Sequence, residues 1–83
     1  MMTEIEVAKK LTQIKDINSE ENIVNSGRIQ GINIYRENIN ILIAKKNDEN
    51  SEDISIVEKK IKESLSDFKN VSIDIKEGEL KKS

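Results

Sequence analysis

Among the residues of this 83-residue chain whose types can do chemistry, the 16 carboxylates of Asp and Glu lead. Asp16 stands in a polar stretch, and the sequence contains neither His nor Cys to join it. A lone carboxylate is a poor transition-metal site, so Asp16 reads either as a partner-facing or metal-facing acid or as a cap for nearby backbone N–H groups. The acidic group Asp48, Glu49, Glu52 and Asp53 lacks the ligand order of an EF-hand and fits the start of a helix, where the dipole favours negative charge. Gly27 and Gly31 bracket Arg28-Ile29-Gln30. That spacing either brings backbone close to a ligand or makes a tight strand entry followed by a bulge. Apolar parity changes across Gly31, with Ile29 on one face and Ile32 and Ile34 on the other, and one inserted residue repairs the mismatch. The bulge is the reading favoured. A KH-type RNA binder needs Gly-x-x-Gly between helices, whereas this is Gly-x-x-x-Gly at a strand.

Without Cys or His the chain has no disulfide, no zinc-finger spacing, no thiolate nucleophile, no Ser-His-Asp triad and no thiolate ligands for an iron-sulfur cluster. A non-enzymatic domain that holds no cofactor of its own is expected. Charged residues make up 36% of the chain, yet the net charge is only -2, so no basic field calls for nucleic acid or an anionic membrane. The start, Met1-Met-Thr-Glu-Ile-Glu6, lacks a basic segment and an apolar core. No apolar run approaches the ~20 residues that span a bilayer. The cytoplasm is the expected compartment.

These residues need elements to position them. Thr3 and Glu6 fit a capping box, and Ile5, Ala8, Leu11 and Ile14 follow at three-residue steps, which predicts a helix over Glu4–Lys15 with that apolar face. Residues 16–26 read as a loop pinned to the core by Ile23 and Val24. Period-two alternation predicts strands over Arg28–Arg36 and Ile39–Lys45, joined by a turn at Glu37-Asn38 with Asn38 at positive φ. Ile54, Val57, Ile61, Leu65 and Phe68 recur at steps of three and four, a second helix capped by Asn50 or Ser51. Val71-Ser-Ile-Asp-Ile75 gives a third strand with Val71, Ile73 and Ile75 inward. The expected architecture is α+β, a two-layer α/β sandwich in the order α-β-β-α-β, with two helices on one face of a three-stranded sheet. A single domain over residues 1–76 and a charged, flexible tail over 77–83 complete the expectation.

On these residues the chain resembles the small iron-sulfur cluster assembly (FSCA-like) domain, found alone and at the N-terminus of Mrp/ApbC-type P-loop ATPases. That family shows a helix, an Asp-Pro-Glu motif, a short loop, a segment like Ile-Val-x-Leu-Gly-Leu-Val, a hairpin, a helix and a last strand introduced by "pGV". Here Asp16 stands at the motif's Asp, and Gly27 follows eleven residues later in Ile23-Val-Asn-Ser-Gly-Arg-Ile29. Ser26-Gly-Arg-Ile-Gln-Gly31 looks most like the Mrp branch, and Phe68-Lys-Asn-Val71 stands at the last turn. The similarity spans roughly Ile5 to Ile75. Ile17 and Asn18 replace the motif's Pro and Glu, and the cysteine that many free-standing members carry after the second strand is absent.

The resemblance implies a non-catalytic accessory domain of an iron-sulfur carrier ATPase. It would assist cluster assembly or transfer through contacts with a P-loop ATPase domain, in cis or in trans, and with client or scaffold proteins. Asp16, Asn18, Asn25, Gly27 and Arg28 are the implied binding residues. ATP and the cluster would belong to the parent protein, since Gly78-Glu-Leu-Lys-Lys-Ser83 lacks the spacing of a phosphate loop. The 83 residues leave open whether the domain stands alone or continues into an ATPase. A protein-interaction or regulatory module unrelated to iron-sulfur chemistry is the alternative.

Overall fold

A computed structural model describes residues 2–80, and the last three tail residues lie outside that range. The order is α1 (Glu4–Leu11), β1 (Ile29–Tyr35), β2 (Asn38–Lys45), α2 (Ser51–Ser64) and β3 (Asn70–Glu77). The sheet order is β1-β2-β3, with β1 antiparallel and β3 parallel to the central strand. Val7 and Leu11 of α1, Ile54, Val57 and Ile61 of α2, and Ile39, Ile41 and Ile43 of β2 form one core. Both helices therefore cover the same face of the sheet. The other face carries Asn33, Tyr35, Ser72 and Asp74, all exposed. This is the expected α-β-β-α-β sandwich.

The capping box forms: the Thr3 hydroxyl accepts from Glu6 N–H while the Glu6 carboxylate accepts from Thr3 N–H. The helix is shorter than its periodicity predicts, ending at Leu11 instead of Lys15. Beyond it the bonds tighten to i+3, Gln13 N–H to Lys10 O and Ile14 N–H to Leu11 O, and this turn still delivers Ile14 to the core. The apolar stripe also differs: Val7, Leu11 and Ile14 are inside, whereas Ile5 is exposed. Steps of four and three track one helix face better than repeated threes, which drift around it.

The hairpin turn is Arg36-Glu37, with Arg36 at φ 57°, and Asn38 already belongs to β2 opposite Tyr35. The positive φ thus falls two residues earlier than expected. Asn38 instead accepts from Asn70 Nδ2 across to β3 at 2.8 Å. The predicted bulge is present, as the register slips between Ile29↔Ile43 and Gly31↔Leu42. Asn50 caps α2 by accepting from Glu52 N–H. Its helix ends at Ser64, yet Leu65 and Phe68 remain buried in the turn that follows. Val71 and Ile73 are half-buried as expected, but Ile75 is 45% exposed, because β3 is an edge strand and no described residue covers that position.

The two glycines of the Gly-x-x-x-Gly segment therefore have different duties. Gly27 sits at φ 86°, where a side chain is strained, whereas a Cβ on Gly31 would meet Leu42 Cβ at an ordinary 3.5 Å. Gly27→Ala should cost about 1–2 kcal/mol in urea denaturation, and Gly31→Ala should stay within about 0.5 kcal/mol of the parent. Equal costs would show that the glycines act as a pair.

Candidate functional site

The segment between α1 and β1 folds on itself before it reaches the sheet. Lys15 and Asn22 form an isolated antiparallel bridge, with Asp16 N–H donating to Glu21 O and Ile23 N–H to Ile14 O, both at 2.9 Å. Between the bridge residues the chain reverses through Ile17 and Asn18, the latter at φ 48°, a left-handed conformation that Asn tolerates. Asn22 then caps the next turn, its Oδ1 accepting from Val24 and Asn25 N–H at 2.9 Å each. The Ser26 hydroxyl donates to Ile23 O and accepts from Arg28 N–H, and Gly27 supplies the final reversal. These local bonds aim Arg28 inward at the mouth of the sheet.

Arg28 is 1% exposed. Its Nε–H and one Nη2–H donate to the two oxygens of Asp16, at 3.0 and 3.2 Å. The two Nη groups donate to the oxygens of Glu49 at 2.6 Å each, and Nη1 also donates to Ala44 O at 2.8 Å. All five guanidinium N–H groups are thereby used, in two fork-shaped pairs that a lysine has no geometry to copy. Glu49 Oε1 also accepts from Lys46 N–H at 2.7 Å. The hydrogen bonds from Arg28 hold the Glu49 carboxyl below its usual range against the opposing effect of burial, and Glu49 in turn raises the Arg28 pKa. The cluster ties three pieces of chain together: the loop after α1, the end of β2, and the β2–α2 connection.

Of the residues predicted from the sequence, Asp16, Gly27 and Arg28 are brought together at this buried point, while Asn18 and Asn25 are exposed on the turns around it. Asp16 is neither a backbone cap nor an open carboxylate, since its side chain is the counter-ion of Arg28. Glu49, read from sequence as support for a helix start, is the second counter-ion of Arg28. The visible signal was an Arg in an apolar strand entry with acids in both flanking loops; which acids meet it depends on topology. Among the described residues no group of three or more His, Cys, Asp or Glu is arranged to hold a metal ion. No helix among them is long and apolar enough to cross a membrane.

Beside the cluster lies an open groove of about 210 Å³ between the Asp16 turn and α2, lined by Ile17 and Asn18 on one side and Asp53, Ile56 and Lys60 on the other. Ile56 is 54% exposed there. A larger depression, about 750 Å³, opens at the opposite end of the sheet around Met2, Arg36, Phe68 and Lys69. It shares no residue with the Arg28 cluster.

No protein family and no curated protein matches the sequence at a significant level. Among solved structures the chain is similar to the crystal structure of a domain of unknown function, DUF59, from Bacillus anthracis, with 16% identity and a TM-score of 0.69. The likeness covers 88% of this chain and 73% of that one. The chain therefore has the fold of a DUF59 domain.

Arg28→Met leaves Asp16 and Glu49 facing each other without their cation, and should cost about 3–5 kcal/mol in chemical denaturation. Acid should act on the same cluster. Because Glu49 titrates lower when folded than its ordinary 4.5, its contribution is complete above that pH and is lost as pH falls through the depressed folded value. Glu49→Gln should flatten the stability profile in that acid window, as read by denaturation midpoints across pH 2–7 (roughly). An unchanged profile would contradict the assignment.

Proposed function

We propose that this chain is a non-catalytic accessory domain of an Mrp/ApbC-type iron-sulfur cluster carrier ATPase, assisting cluster assembly or transfer through protein contacts. The observation that carries the reading is the fold shared with a DUF59 domain, which we take to be of the FSCA-like type that the sequence resembles. The register of Asp16 and Gly27 supports it, because both lie in the structure that builds the Arg28 cluster. Its partners are the ATPase domain, in the same polypeptide or another, and client or scaffold proteins in the cytoplasm.

The residues available favour contact over chemistry. With no Cys or His in the sequence, the chain has no thiolate or imidazole ligand for a cluster, so the cluster is cargo handled by its partners. Arg28 has no N–H left to offer a ligand. Its part is to hold the Ile17-Asn18 turn against α2, and the open groove lined by the exposed Ile56 is the contact surface. Apolar and charged groups alternate there, as in the core and rim of a modest protein interface.

Ile56→Asp should weaken binding to a full-length carrier ATPase by tenfold or more, about 1.4 kcal/mol, with an unchanged circular dichroism spectrum. Surface-immobilised binding and cluster transfer to an apo-client are the measurements. If the parent chain neither binds the ATPase nor changes the transfer rate, the domain is an interaction module unrelated to iron and sulfur.

A further inference from the structure

The outer edge of β3 is unpaired among the described residues, and the pattern of its backbone and side chains defines what fits it. At the end of β3, Gly78 N–H donates to Lys45 O at 3.0 Å, which puts the even-numbered residues on the β2 side; at its start Glu37 O, just before β2, accepts from Lys69 N–H at 2.8 Å and more weakly from Asn70 N–H at 3.5 Å. Parallel strands alternate their bonding sides, so Val71, Ile73, Ile75 and Glu77 direct N–H and C=O outward. The same odd residues share the helix-covered face, through the register Val71↔Ile39, Ile73↔Ile41 and Ile75↔Ile43. The other edge, β1, is broken by its bulge, a device that discourages edge pairing. β3 has no bulge and no proline, and carries the exposed Ile75 two residues before its end.

We propose that β3 pairs antiparallel with β3 of a second copy of this chain about a two-fold axis at Ile73, giving a continuous six-stranded sheet. Only odd residues have free backbone groups, so odd must face odd, and both helical layers then lie on the same side of the joined sheet. Within that rule the side chains choose the register. With Ile73 opposite itself, Val71 faces Ile75, and about six backbone hydrogen bonds form through these three pairs. On the open face Asp74 meets Ser72 and Lys76 meets Asn70, while Glu77 meets Lys69 at both ends with opposite charges. Sliding by one step in one direction sets Asp74 against Asp74. Sliding in the other sets Ile75 against Lys69. Two steps in the first direction match Asp74 with Lys76 but leave Ile73 against Glu77 and shorten the overlap. The chosen register covers Ile75 and opposes no like charges.

Sedimentation equilibrium of the intact chain from about 10 µM to about 1 mM, a range suited to a small interface, should show a monomer–dimer equilibrium. Ile75→Lys, a change at an exposed position, should shift it at least tenfold toward monomer with unchanged circular dichroism. The register has its own test, because the parent has no cysteine. Ser72→Cys and Asp74→Cys chains face each other across a non-hydrogen-bonded pair, with Cα atoms ~4.5 Å apart, within disulfide range. Mixed, they should oxidise to the heterodimer; alone, each should stay largely a thiol monomer. A chain monomeric throughout that range, a dimer indifferent to Ile75→Lys, or cross-linking of Asp74→Cys to itself would overturn the proposal.

Discussion

One guanidinium between two carboxylates is the constraint on which the rest of this structure depends. The net charge of the Arg28, Asp16 and Glu49 cluster is negative, and each member is at least largely buried. Such a cluster gives little stability over a well-packed apolar replacement, because desolvating three charges offsets most of their attraction. Its value lies in what it forbids. Any displacement of the Asp16 turn, of Ala44 at the end of β2 or of the Glu49 loop leaves buried N–H groups or a charge without partners. The long connection between α1 and β1, which has no helix or strand of its own, is held in one position by that penalty and by the Ile23 anchor.

The elements were legible in the sequence because they obey local rules. The capping box at Thr3, the Asn50 cap, the alternation of isoleucines and the parity break at Gly31 each rest on interactions within a few residues, and each is found in place. What was not legible depended on tertiary neighbours. The first helix stops early because the chain must turn at Thr12 to bring Asp16 under Arg28, and no residue near Lys15 announces that. Asn38 looked like the positive-φ residue on propensity, yet its amide is claimed by Asn70 on a strand thirty-two positions away. Ile75 fits the inward pattern of β3 but lies on an edge strand where it is 45% exposed, and a sequence pattern carries no information about which strand is the edge.

The candidate site shows the same division. Asp16, Gly27 and Arg28 were singled out together, and they do meet, although through an internal ion pair and a backbone reversal. Glu49 was hidden because four neighbouring acids look alike in sequence, and only the path of the β2–α2 connection selects it. The consequence for function is a separation of roles. Buried residues fix the shape of the loop, while exposed ones, Asn18 on the turn and Ile56 on α2, line the open groove that the proposed function uses as its contact surface. On that proposal a substitution in the first set would alter partner binding only by way of stability, and one in the second set would alter it directly.

The most direct measurement is the arginine side-chain region of a ¹⁵N-correlated NMR spectrum near neutral pH. The chain has two arginines, Arg28 and Arg36, and Arg36 lies exposed in the hairpin turn as an internal control. A fully bonded Arg28 should give separate, slowly exchanging Nε–H and Nη–H resonances, and the exposed Arg36 rotationally averaged, rapidly exchanging ones. Averaged signals from both would contradict that bonding.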